Sequence, residues 1–129
     1  MSRSPLRATH GGFGRAVRQA SRGIADTFHD EPHFRFQLFV ALAALALSLW
    51  LGTGSAVVLL CCALVLASEL VNTAVERLAD ALHPQPHPLV GAAKDAAAGA
   101  VLTSAVVAVL VGLISLGPAL LERLRGWWA

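Results

Sequence analysis

The sequence predicts an all-α membrane protein: three membrane-spanning helices preceded by an amphipathic helix that lies on the membrane surface. Hydrophobic residues make up 56% of its 129 residues and charged residues only 14%, against about 25% charged residues in ordinary soluble domains. Residues 36–68 and 96–121 contain no Asp, Glu, Lys or Arg. One span needs about 20 apolar residues. The first stretch can therefore hold one helix and the start of a second, and the later stretch holds another.

Turn-forming residues divide these stretches into spans. Gly52-Thr53-Gly54-Ser55 interrupts the first charge-free stretch and predicts a tight turn. Three prolines within residues 83–88 cannot continue a helix, because proline has no N–H to donate and its ring clashes with the preceding turn. We expect one membrane domain over residues 12–121, with spans at residues 36–51, 56–82 and 89–116. The last span is expected to end at Gly117-Pro118, and residues 122–129 form a C-terminal tail.

Residues 12–33 precede the first span and are only partly apolar. Apolar side chains recur every three or four positions, at Phe13, Val17, Ala20, Ile24 and Phe28. Arginines and an aspartate lie between them. This spacing predicts an amphipathic helix on the membrane surface. Disorder is expected only for residues 1–11.

The distribution of arginines predicts the orientation in the membrane. Six arginines precede the first span, whereas the turn at residues 52–55 carries no charge. The positive-inside rule then places the N-terminus in the cytosol and that turn outside. The loop at residues 83–88 faces the cytosol, and the C-terminus faces out, although Arg123 and Arg125 mildly oppose this orientation. Trp50, Trp127 and Trp128 then fall at the outer interface, which indole rings prefer.

Four polar side chains share one face of the second predicted span. Steps of three, four and four residues place Glu69, Asn72, Glu76 and Asp80 within about 40° of one helical stripe. Ionisable groups at membrane depth are costly and persist mainly where they have a function. Glu69 is expected near headgroup depth, where burial suits a general base. Glu76 lies about 10 Å farther along the helix, where its carboxylate can ligate a hard cation such as Mg²⁺.

Other segments bring charged residues to the same membrane face. Lys94 and Asp95 open the third span, where the lysine can pair with phosphate, and Glu31 comes just before the first span. Alternatively, Glu76, Asp80 and Lys94 are interfacial charges that only flank helices. That alternative is weaker for Glu69, because the four turns before it carry no charge. Two other classes stay open on the residues alone: an ion- or proton-coupled transporter that uses Glu69 as a carrier, and a structural membrane protein.

One eight-residue motif resembles the signature of a known family. The motif is Glu69-Leu-Val-Asn72-Thr-Ala-Val-Glu76, and it is followed by Asp80 and, after the His/Pro loop, by Ala93-Lys94-Asp95. This pattern is similar to the signature of the bacterial integral-membrane diacylglycerol kinase and undecaprenol kinase family. The segment from Asp30 to Arg35 also fits the acidic-x-x-Phe-Arg entry of that family to its first span. The resemblance covers roughly residues 13–118.

The resemblance implies a homotrimer of three-span subunits in the bacterial cytoplasmic membrane, with MgATP phosphorylating a lipid alcohol. It implies that Glu69 is the general base on the lipid hydroxyl, and that Glu31 and Glu76 hold the Mg²⁺ that bridges the ATP phosphates. Further nucleotide contacts are implied at Asn72, Asp80, His87, Lys94, Asp95 and an N-terminal arginine. That arginine is Arg15 or, because the stretch to Glu31 is shorter than in the best-known diacylglycerol kinases, Arg18.

One departure from the family pattern bears on the acceptor lipid. The diacylglycerol branch typically has a serine soon after the Lys-Asp pair, and this chain has Ala98 there. Residues 87–89, 94–100 and 112–118 look more like the undecaprenol branch. Both acceptors are apolar chains with one hydroxyl, and the choice between diacylglycerol and undecaprenol stays open.

Overall fold

The computed structural model describes residues 12–127 and contains four α-helices within them. They are α1 (Phe13–Asp30), α2 (Pro32–Leu51), α3 (Ser55–Leu82) and α4 (Pro88–Arg125). Each of α2, α3 and α4 is long and apolar enough to cross a membrane. The all-α membrane fold predicted from the sequence is therefore confirmed. The disorder expected for residues 1–11 and the interfacial position expected for Trp128 lie outside the described residues.

The three long helices expose most of their large apolar side chains. Leu60 is 70% exposed and Ile114 is 75% exposed, whereas few large apolar side chains, among them Val58 and Leu116, are buried. A soluble protein of this size would bury such side chains in a core. Lipid tails are as apolar as leucine, so a membrane-embedded helix has no such requirement. The outward apolar surface fits a protein embedded in a bilayer.

A sharp elbow at Glu31 separates the amphipathic helix from the first long helix. Pro32 is the first residue of α2, and Glu31 has the extended conformation (φ −107°, ψ 104°) that a residue before proline prefers. Arg35 stabilises the elbow by donating from Nη1 to the carbonyl oxygens of Phe28 (3.2 Å) and His29 (2.8 Å). The boundary therefore lies a few residues earlier than the sequence pattern indicated, because Pro32 starts a helix rather than continuing one.

The predicted turn between the first two long helices is present. Gly52 (φ +69°) and Gly54 (φ +68°) both adopt the left-handed conformation that glycine adopts without steric cost. A Cβ atom at Gly54 would also lie 3.3 Å from side-chain atoms of Leu116 and Ser115. Gly54 therefore allows α4 to approach the turn closely.

The prediction that the last helix ends at Gly117-Pro118 is wrong, because α4 continues through Pro118 to Arg125. A proline in a helix removes one backbone hydrogen bond, whereas ending the helix would expose four carbonyl groups. In an apolar environment the first cost is smaller, and good helix formers follow Pro118. The extension is also held by Arg123, whose guanidinium carbon lies 4.6 Å from the centre of the Trp50 ring.

Candidate active site

The polar stripe of α3 runs from a buried end to an exposed end. Glu69 is only 6% exposed and the neighbouring Thr73 only 3%. Asn72 and Glu76 are half-buried, and the side chain of Asp80 is 69% exposed. The stripe therefore leads from the interior of the helix bundle to its surface.

Glu69 is held by a side chain that the sequence analysis did not single out. Gln37 of α2 donates a hydrogen bond from Nε2 to Glu69 Oε2 at 3.2 Å. Burial of a carboxylate is costly unless it is hydrogen-bonded, and this amide supplies a neutral donor. The signal available in the sequence was the only amide within the charge-free stretch of residues 36–68.

Two buried oxygen atoms beside this cluster lack partners. Asn72 donates from Nδ2 to Glu76 Oε1 at 3.0 Å, one helical turn away. The other amide atom, Asn72 Oδ1, and the corresponding Gln37 Oε1 are buried without a hydrogen bond from any described residue. More than nine in ten buried polar groups are normally paired. These oxygens therefore mark where a ligand or a second subunit would complete the site.

The elbow that carries Glu31 is held against α3 by an arginine that the sequence analysis also missed as part of the site. Arg77 Nη2 lies 3.1 Å from Asp30 Oδ2 and 3.9 Å from Glu31 Oε1. The side chains of Arg77 and Asp30 are well exposed, at 44% and 65%, so this ion pair adds at most about 1 kcal/mol to stability. Its effect is positional, because it brings Glu31 beside the helical turn that carries Glu76.

A cleft of about 610 Å³ lies between the end of α3 and the start of α4. It is lined by three of the predicted nucleotide-contacting residues: Asp80, His87 and Lys94. Lys94 Nζ pairs with Asp80 Oδ1 at 2.9 Å, and His87 Nδ1 accepts the backbone N–H of Leu89 at 3.2 Å. The first turns of α4 also line this cleft, so the positive end of the helix dipole lies close to it.

The other predicted contacts are not gathered into this cleft. Asp95 is exposed beside Lys94 on α4. Arg15 and Arg18 are exposed on α1, and neither forms an ion pair with a described residue. The structure of a single chain thus brings Glu31 next to α3 but does not bring these arginines to the site.

The carboxylates present fit a magnesium ion that is shared with a nucleotide. No group of three or more His, Cys, Asp or Glu side chains in residues 12–127 is arranged to hold a metal by itself. Mg²⁺ commonly takes only one or two carboxylates and completes its shell with substrate phosphates and water. Glu31 and Glu76, on facing segments, meet that requirement in donor chemistry. Arg77 lies beside Glu31, but its closer ion-pair partner is Asp30.

An apolar cavity of about 290 Å³ lies between α2, α3 and α4. Small and apolar side chains from all three helices line it, among them Ala41, Val58, Cys62, Ala108 and Gly112. Gln37 lines the cavity as well, so the polar cluster and the apolar cavity share one residue. The buried carboxylate of Glu69 is thus connected to the apolar cavity through its hydrogen bond with Gln37.

Comparison with known proteins places this arrangement in a family. Residues 18–116 match the sequence profile of the prokaryotic diacylglycerol kinases. The chain belongs to this family. It is 35% identical over 111 residues to undecaprenol kinase from Bacillus subtilis, an alignment that covers 84% of this chain and 90% of that protein.

Two diacylglycerol kinases are similarly related to this member of the family. The protein from Synechocystis is 39% identical over 111 residues, covering 83% of this chain and 63% of the relative. The protein from Escherichia coli K12 is 31% identical over 111 residues, an alignment that covers 81% of this chain and 91% of that protein. The predicted family is thus confirmed, and the chain is a lipid kinase with membrane-spanning helices. This finding favours the kinase over the transporter and the structural protein that the residues alone left open.

Proposed function

We propose that this lipid kinase transfers the γ-phosphoryl group of ATP to the hydroxyl of a membrane lipid alcohol, either diacylglycerol or undecaprenol. The observation that carries the proposal is the position of Glu69, which is buried on the polar stripe of α3 and bonded to Gln37, a residue that lines the apolar cavity. A lipid hydroxyl stays near headgroup depth, whereas ATP stays in water. A carboxylate at that boundary can act on the hydroxyl while the nucleotide binds on the polar side.

We place the site at the cytosolic face of the bacterial cytoplasmic membrane, with the N-terminus in the cytosol. ATP is a cytosolic metabolite, so its binding cleft must open on that side. Six arginines precede the first span, in agreement with the positive-inside rule. The cleft and the elbow at Glu31 both adjoin the Glu76–Leu82 end of α3, so one orientation brings Glu31 and the cleft-lining residues Asp80, His87 and Lys94 to the cytosolic face.

In the proposed mechanism each residue has a separate role. Glu69 accepts the proton of the lipid hydroxyl while the hydroxyl oxygen attacks the γ-phosphorus atom of ATP. The bond from that phosphorus to the β–γ bridging oxygen breaks, and ADP leaves with this oxygen. Lys94, which pairs with Asp80 in this structure, turns to the phosphates when ATP binds. Asn72 keeps Glu76 oriented through its 3.0 Å hydrogen bond. Glu31 and Glu76 would hold Mg²⁺, which supplies positive charge against the phosphates.

Little covalent chemistry falls to the protein in such a reaction. Phosphoryl transfer passes through a loose transition state, and its catalysis rests mainly on positioning and on electrostatic stabilisation. We assign Asp95 and one of Arg15 and Arg18 to nucleotide binding at the rim of the site. Both arginines lie on α1, so they reach the nucleotide only if α1 of this or a neighbouring subunit lies over the cleft.

The direct test is phosphate transfer by the purified protein in detergent–lipid micelles with labelled MgATP. We expect label in phosphatidate or in undecaprenyl phosphate, and the ratio of the two rates identifies the acceptor. Each acceptor with its hydroxyl methylated serves as the matched control, because it keeps the apolar chain and loses the reacting oxygen. Absence of label from both free alcohols would contradict the proposed function.

We further propose that the kinase is a homotrimer with its sites near subunit boundaries. A single three-helix chain has too few helices to enclose the whole polar stripe against lipid. Glu69 is only 6% exposed within one subunit, whereas farther along the stripe Asn72 Oδ1 lacks a partner among the described residues. Exposed small residues four positions apart, Ala63 and Ala67, also leave a face of α3 that allows close helix packing.

Mixed oligomers test this assembly. Co-expression of a Glu69→Gln subunit with a subunit that carries Arg15→Ala and Arg18→Ala should restore more activity than either variant alone, if α1 of a neighbouring subunit completes the site. Cross-linking and mass measurement in native-like membranes should give a trimer. A fully active monomer in those membranes would show that the assembly proposal is wrong.

A further inference from the structure

Gln37 makes the hydrogen bond that links α2 to the buried carboxylate of α3. Its Nε2 atom donates to Glu69 Oε2 at 3.2 Å, across 32 positions of sequence. No other side chain among the described residues donates to Glu69. The amide also lines the apolar cavity between α2, α3 and α4. Gln37 therefore stands at the junction of the apolar cavity and the carboxylate.

We propose that Gln37 is a positioning residue for the phosphoryl transfer, acting through Glu69; this inference rests on the proposed role of Glu69 as general base. By occupying Oε2, the amide fixes the plane of the carboxylate and leaves Oε1 to the hydroxyl of the acceptor lipid. The direction of a carboxylate lone pair matters for a base, because a displacement of about 1 Å in a reacting group can cost about 100-fold in rate.

The chemistry of an amide suits this role better than that of a cation. A lysine or arginine beside Glu69 would stabilise the carboxylate strongly and make it a weaker base. An amide donates one hydrogen bond without adding charge, so it orients the carboxylate without placing a competing cation beside it. Among the described residues the bond to Glu69 is the only side-chain hydrogen bond that Gln37 makes, because Gln37 Oε1 is buried without a partner there.

A purely structural role makes a different prediction. If Gln37 only satisfied a buried carboxylate, its loss would weaken folding or assembly and would reduce activity whatever residue stood at position 69. If it positions the base, its loss matters only while the base is present. A double-mutant cycle separates the two cases, because groups that act as one unit in catalysis give strongly non-additive losses.

The experiment compares Gln37→Leu, Glu69→Gln and the double variant by labelled phosphate transfer. We expect Gln37→Leu to lower kcat by about 10- to 100-fold with the KM for ATP changed less than about twofold. In the Glu69→Gln background the same substitution should lower the residual rate by less than about twofold, since there is then no base to position. Gln19→Leu, at an exposed amide on α1, is the matched control and should retain the unsubstituted rate.

Two outcomes overturn the inference: a normal kcat for Gln37→Leu, or a loss in the double variant that equals the product of the single losses. Should Gln37→Leu fail to assemble, Gln37→Met is used, which keeps a similar length, adds no charge and loses the amide donor. The same two criteria then apply to kcat. Failure of the base assignment is recognised separately, because Glu69→Gln alone would then keep near-normal activity whatever Gln37 does.

Discussion

Replacement of Glu69 by glutamine is expected to lower the turnover number of the kinase by at least about 100-fold, the lower range for loss of a general base. The variant keeps the size and the hydrogen-bonding capacity of the side chain and removes only its ability to take a proton. A 100-fold loss corresponds to about 2.7 kcal/mol of transition-state stabilisation. The side chain is buried and contacts Gln37 at 3.2 Å, where a neutral amide is less costly than a carboxylate. We therefore expect the variant to insert and assemble normally.

The measurement is the rate of labelled phosphate transfer at saturating ATP and acceptor, with assembly checked by size-exclusion chromatography. Glu122→Gln is the matched control, because Glu122 is exposed near the far end of α4 and loses the same charge outside the site. It should retain the unsubstituted rate. If Glu69→Gln also retained a rate close to that of the unsubstituted protein, Glu69 would not be the base.

Hydrophobic patterning was sufficient to predict the helices of this protein. The turns at residues 52–55 and 83–87 were predictable because glycine and proline have strong local preferences that hold in any environment. Pro118 shows where this reasoning fails. Its local preference against a helix interior is offset by the cost of exposing carbonyl groups in an apolar surrounding, and that cost depends on the environment of the whole helix.

The candidate site was predictable in part for a similar reason. Glu69, Asn72, Glu76 and Asp80 lie on one helix, so helical geometry alone determines their common face. Gln37 and Arg77 were missed because their roles arise from contacts between helices distant in sequence. A single amide in an apolar span and a single arginine beside a carboxylate have no spacing pattern to reveal them. Their partners became known only from the packing of α2 and of the Glu31 elbow against α3.

A magnesium titration is expected to separate the two kinds of carboxylate at this site. Glu76→Gln and Glu31→Gln should each raise the Mg²⁺ concentration for half-maximal activity by at least about tenfold, since even loss of an outer-shell partner of a metal costs about 10- to 100-fold in metal affinity or activity. Raised Mg²⁺ should therefore partly restore both variants. Glu69→Gln should not respond, because the metal cannot replace a missing base.

The two metal-site variants should nevertheless differ in one respect that the structure makes visible. Arg77 lies 3.9 Å from Glu31 and 3.1 Å from Asp30, so it keeps its closer partner when Glu31 becomes neutral, and the elbow should stay in place. Glu76→Gln instead changes the partner of Asn72, whose amide donates to Glu76 at 3.0 Å. We expect the larger loss for Glu76→Gln, with Glu122→Gln again unchanged as the control. Identical magnesium titrations for the Glu31, Glu69 and Glu76 variants would show that this division of roles is wrong.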